Sequence, residues 1–109
     1  MFDLVIGSGT VIDGTAAPRK RADVGITRDR ITAVADDLSE AEALHRIDAS
    51  RKIVGPGFVD VHNHSDAWLR KIPHLVPKTA QGFTTEVIMA DGISYAPVDE
   101  ATVPEWIYY

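Results

Sequence analysis

The chain predicts an α/β protein with a β-rich first half, and three observations carry that expectation. Short apolar runs recur at roughly ten-residue spacing up to Val54, as in a small β-sandwich or barrel-like layer. The pattern changes at Gly55-Pro56-Gly57. Beyond it, a strand-like run, a proline-interrupted helical stretch and a second strand-like run make up a βαβ unit.

Phe2 to Ile6 is apolar and β-branched, Gly7-Ser8-Gly9 closes it, and Thr10-Val11-Ile12 precedes the turn signal Asp13-Gly14. This predicts two strands with a tight connection. Thr15 to Arg21, with Pro18 and three basic residues, reads as a loop. Ala22 to Thr27 and Arg30 to Val34 alternate apolar with polar or small residues around Arg28-Asp29, a hairpin with one buried face. Asp36 to Glu42 is acidic and fits a helical turn or a solvated loop; Ser39 and Glu42 have the spacing of a capping box. Leu44 to Ala49 and Lys52 to Val54 are two further short strands.

Phe58-Val59-Asp60-Val61 is nearly continuous in apolar character, as expected for a parallel strand buried on both faces. From Trp68 to Gln81 the chain suits helix but is interrupted by Pro73 and Pro77. Proline is tolerated in a first helical turn, so Pro77 opens a short helix that Gly82 ends. Thr84 to Met89 supplies the second buried strand, and a loop from Ala90 to Pro97 leaves its carboxyl end. Thr102 is placed to cap a last helix.

With 109 residues, at most one small domain is complete. Ordinary proportions of apolar and charged residues set disorder and collagen-like structure aside. A net charge of −5 argues against a nucleic-acid partner. The lack of cysteine excludes disulfides, thiolate ligation and thiol catalysis. Neither a signal-peptide pattern nor a run of membrane-spanning length is present, so no membrane partner and a cytoplasmic location are expected.

The chemistry centres on His62-Asn63-His64. On an extended strand positions i and i+2 point the same way, so the two imidazoles face one side, an arrangement suited to a divalent metal. The same spacing also occurs in ordinary loops, and the neighbouring segments decide between the readings. Asp91 leaves the second βαβ strand at its carboxyl end, the rim on which α/β barrels carry their catalytic groups. It is a third metal ligand or a loop carboxylate. Asp60 shares the parity of the histidines and either orients a ligand or satisfies backbone donors. Asp66 either fixes substrate or an imidazole, or serves the turn after the strand. Ser94 and Tyr95 contact substrate from the rim or pack within their loop, while His45 and His74 read as structural or exposed. Ser65 lacks the acid–histidine pairing of a nucleophile.

These segments together resemble the metal-dependent amidohydrolase superfamily, and within it the N-acyl-D-amino-acid deacylases, or D-aminoacylases. The resemblance runs through Asp3-Leu4-Val5-Ile6, Gly9 to Thr15, Ala22-Asp23-Val24 and Arg30-Ile31. It is strongest from Ile53 to Asp66, and continues through Gln81 to Val87 and Gly92 to Pro97. It implies that residues 1–54 are the first part of a composite β-sandwich completed by a distant carboxyl end. Residues 55–109 then begin a TIM-type (β/α)8 metallohydrolase barrel, incomplete here because a whole barrel takes about 250 residues. It further implies one or two zinc ions, or another divalent metal, held in part by His62 and His64, and a small N-acyl amino acid or related amide as substrate. The catalytic aspartate expected from a later strand lies beyond residue 109. Where the deacylases carry a cysteine ligand in an Asn-Cys-Gly context, this chain reads Ala90-Asp91-Gly92, an exchange of soft sulfur for hard oxygen.

The reaction implied is hydrolysis of a linear, non-peptide C–N amide bond by a zinc-activated water. Two alternatives stand beside it: a cyclic-amide hydrolase of the dihydroorotase or hydantoinase kind, and a non-catalytic fragment or split subunit. Two barrel strands alone leave an open edge and an uncovered apolar face, which invites self-association or complementation by the missing part of a barrel.

Overall fold

A single ten-residue strand, β1 (Phe2–Val11), is the spine of the first half of the chain. The computed structural model describes residues 1–69, 71–89 and 99–106, in two units, Met1–Pro56 and Gly57–Tyr109.

In the first unit β1 pairs antiparallel with β2 (Lys20–Thr27), which pairs antiparallel with β3 (Arg30–Ala35), giving the hairpin that the alternation predicts. On its other edge β1 pairs in parallel with β4 (Ala43–Asp48) along its first half and with β5 (Ile53–Val54) along its second. The result is one five-stranded sheet in the order β3-β2-β1-β4, with β5 beside β4 along β1.

The expected break at Gly7-Ser8-Gly9 is instead a bulge inside β1, where the register with β2 shifts between Ile6 and Gly9. Ser8 takes a positive φ of 63° and absorbs the extra residue. The bulge flips the side-chain parity, so that Ile6 before it and Val11 after it serve the same face. Val11, Ala22 and Val24 form the core there, with Ile6, Ile26 and Val54 packed against them. Asp23, buried on the strand opposite, accepts the Ser8 amide at 2.6 Å and the Leu38 amide at 2.8 Å. Two charge-assisted hydrogen bonds offset the desolvation of that carboxylate.

Between Asp36 and Glu42 the chain turns without forming a helix, and the Ser39–Glu42 capping box is not made. The Ser39 amide donates to Asp37 at 2.7 Å instead, a local Asx bond that competes with helix formation. Leu44, Ile47 and Ile53 remain 51–69% exposed, so the described residues of this unit supply one sheet and not the second layer of a sandwich.

The second unit begins with β6 (Phe58–Asp60), followed by α1 (Asp66–Leu69), α2 (Val76–Thr79), β7 (Phe83–Glu86) and α3 (Val103–Trp106). Strands β6 and β7 are parallel, with Val59 opposite Thr85 and Asp60 opposite Glu86. Pro77 lies in the first turn of α2 and Gly82, at φ 90°, carries the chain out of the helix, both as expected. The Gly82 carbonyl accepts the Phe58 amide at 2.8 Å, and the Phe58 and Phe83 rings pack with centroids 5.6 Å apart. The strand expected to be buried on both faces is not: Phe58, Val59 and Val61 are 55–69% exposed. Among the described residues β6 has one neighbouring strand, and nothing covers its remaining apolar surface.

Candidate metal site

β6 ends at Asp60, so His62 and His64 sit just past the strand rather than on it, with a bend at His62. The two-residue alternation nevertheless persists: Asn63 and Ser65 are buried, each 7% exposed, and both histidines face outward.

Hydrogen bonds to the segment after β7 hold this alternation. The Val87 amide donates to the Asp60 carbonyl at 2.8 Å, extending the parallel ladder by one step. Asn63 Nδ2 then donates to the Val87 carbonyl at 3.2 Å, while Asn63 Oδ1 accepts the Ser65 amide at 3.0 Å. Asp66, 3% exposed, opens α1 and accepts the Met89 amide at 2.9 Å. Through that bond Asp66 joins the loop after β6 to the chain after β7.

The imidazole rings of His62 and His64 lie with centroids 5.8 Å apart and planes at 67°. A metal bound at 2.0–2.1 Å from a ring nitrogen lies about 3.2 Å from the ring centre, so one ion between the two rings fits this separation. Among the described residues no cluster of three or more His, Cys, Asp or Glu side chains forms a fuller set. Asp91 and Ser94, the remaining candidates of the rim, lie outside the described residues. His45 and His74 are exposed and take no part.

Asp60 anchors the base of the loop. Its Oδ1 accepts the His62 amide at 3.2 Å, and its Oδ2 accepts Lys78 Nζ at 2.8 Å. Lys78 also reaches Glu86 Oε1 at 2.6 Å, and the same oxygen accepts the Ser65 hydroxyl at 3.5 Å. The Lys78 ammonium, followed by the His62 amide, holds the Asp60 carboxyl below its ordinary pKa. The Asp60 and Glu86 carboxylates in turn raise that of Lys78. Asp60 thus ties the start of the histidine segment to Lys78.

Lys78, Glu86 and Asn63 were not singled out by the sequence reading. The signal for the first two was a charge standing alone in each of two stretches, Lys78 between Leu75-Val76-Pro77 and Thr79-Ala80, and Glu86 in Thr84 to Met89. For Asn63 the only signal was its place between the two histidines.

No family model matches the chain. It is 47% identical over 103 residues to a D-aminoacylase of Alcaligenes xylosoxydans xylosoxydans, a match covering 94% of the chain and 21% of the relative. It is 53% identical over 96 residues to an N-acyl-D-glutamate deacylase of the same organism, covering 88% of the chain and 20% of the relative. The solved N-acyl-D-glutamate deacylase of Bordetella bronchiseptica, complexed with zinc and a phosphonate that mimics the tetrahedral intermediate, superposes with a TM-score of 0.84 at 48% identity. That superposition covers 89% of the chain and 20% of the other. The chain therefore spans about a fifth of the length of the proteins it matches.

Proposed function

The chain belongs to the N-acyl-D-amino-acid deacylases of the metal-dependent amidohydrolase superfamily, as an amino-terminal portion, and we propose that the protein takes part in hydrolysing the amide bond of an N-acyl-D-amino acid. The observation that carries this reading is the outward pairing of His62 and His64, 5.8 Å between ring centres, in a chain about half identical to deacylases.

In this proposal His62 and His64 hold one divalent ion, zinc first among candidates, and Asp91 is a third ligand in the place where the family resemblance implies a cysteine. A bound zinc supplies a water acidified to near neutral pH and a Lewis acid for the scissile carbonyl. What the described residues do is mechanical: Asp60 fixes the His62 backbone, Asn63 and Ser65 keep their side chains inward, and the imidazoles are left presented to one side. An aspartate from outside these residues would take the proton of the water and pass it to the leaving amine. Residues 1–54 serve as part of a composite β-sandwich, and residues 55–109 as the start of a (β/α)8 barrel.

The exposed face of β6 and the one-fifth coverage of relatives favour a second reading, a fragment or split subunit that acts only when the rest of a barrel is supplied. One assay separates the two. The zinc-loaded protein, alone and joined to the length its relatives have in addition, is given N-acetyl-D-glutamate, N-acetyl-D-methionine and their L-isomers, and free amino acid is measured. Release of the D-amino acid only in the joined form, abolished by His62→Ala, is the expected result. Turnover by the chain alone excludes the fragment reading, and D-selective turnover unaffected by His62→Ala and His64→Ala overturns the ligand assignment.

A further inference from the structure

Asp60 and Glu86 stand opposite each other on adjacent parallel strands, where two like charges in register repel. A single ammonium, Lys78 Nζ, lies 2.8 Å from one and 2.6 Å from the other. The two carboxylates do not end there. Asp60 uses its second oxygen to accept the amide of His62, and Glu86 accepts the hydroxyl of Ser65, the residue after His64. One lysine on the crossover helix therefore governs two polar links, one at each end of the segment that presents the imidazoles.

We propose that Lys78 is a positioning residue for the His62 and His64 pair, acting through Asp60 on one side and Glu86 on the other. The inference rests on the reading of those histidines as metal ligands. The Lys78 side chain runs from α2 and is about three-quarters covered, with its ammonium within hydrogen-bonding distance of both carboxylates. Without it, neither carboxylate is held, and rotation of either one withdraws the acceptor that fixes its end of the histidine segment, whether or not the two repel. The rings keep their chemistry and lose their separation. A lysine in this place sets how well two donors converge on an ion while touching neither.

The test is a calorimetric titration with zinc(II), alongside the visible spectrum of the cobalt(II) form, on the wild-type protein and four variants. Lys78→Met is expected to weaken zinc binding by about tenfold, the scale seen when groups behind a ligand are removed. It is also expected to alter the cobalt spectrum. Lys78→Arg, which keeps the charge and can bridge two carboxylates, is expected to restore most of the affinity. Lys78→Met combined with Glu86→Gln removes the charge clash; it is expected to recover the thermal midpoint while zinc binding stays weak. That split is one a merely structural lysine would not produce. Wild-type zinc affinity in the folded double variant overturns the proposal. The combined variant His62→Ala/His64→Ala tests the reading beneath it: loss of zinc there with wild-type binding by Lys78→Met rejects the positioning role alone, whereas unchanged zinc binding without the histidines rejects both.

Discussion

Asn63 donates from Nδ2 to the carbonyl oxygen of Val87 at 3.2 Å, and this bond ties the segment carrying both histidines to the chain that leaves β7. The same side chain accepts the Ser65 amide, so one buried amide group serves two strands' ends. Its neighbours in sequence are thereby turned outward.

Asn63→Leu is expected to cost about 1–3 kcal/mol, because the Val87 carbonyl and the buried Ser65 amide both lose their partner. Chemical denaturation measures this. The variant is also expected to bind zinc less tightly than wild type in the same titration, since the alternation around His62 and His64 depends on Asn63 pointing inward. Stability equal to wild type would show that water replaces the amide at no cost.

Asp23→Ala removes the acceptor of two amides, those of the Ser8 bulge and of Leu38. Hydrogen bonds to a buried charged group are worth more than neutral ones, and a loss of about 2–4 kcal/mol is expected. Hydrogen exchange should speed up at Ser8 and Leu38 together; faster exchange at Leu38 alone would mean that the bulge holds itself.

A methyl group placed on Gly57 runs into the side chain of Thr84. Gly57→Ala is therefore expected to destabilise by about 1–3 kcal/mol, as overpacking does elsewhere. Thr84→Ala in the same background opens the space, and the double variant should recover at least half of the loss. Additive effects of the two substitutions would locate the strain elsewhere.

Acid should loosen the protein in a defined direction. Hydrogen bonds from Ser50 lower the Asp48 pKa below 3.8, as those from Thr15 do for Asp13 and those from Ser39 for Asp37. A carboxyl with a depressed folded-state pKa contributes stability that is fully present above 3.8, the unfolded value, and is lost as pH falls through the folded value. The thermal midpoint is thus expected to be flat with respect to these groups above about pH 5 and to fall below about pH 4. Asp48→Asn should make that fall shallower, and an unchanged slope would assign the acid response to other carboxylates.

The hairpin of β2 and β3 was legible because alternation and a turn signal coincide, and the helix stop at Gly82 because the backbone there needs a positive φ. The continuity of β1 was not legible. Gly7-Ser8-Gly9 looks like a break locally, and only the distant Asp23 carboxylate makes Ser8 a bulge inside one strand. The apolar run from Phe58 encodes the strand β6 but not its burial, since burial is a property of neighbours and not of composition.

Sequence alone determined the pair His62 and His64 and the order of the segments around them, because spacing and apolar pattern are local and survive without knowledge of contacts. Tertiary structure decided how that pair is presented. It carried the histidines past the end of β6, turned Asn63 and Ser65 inward against the chain after β7, and brought Lys78 between Asp60 and Glu86. Those relationships join residues 8 to 24 positions apart through single hydrogen bonds and ion pairs, which no local periodicity encodes.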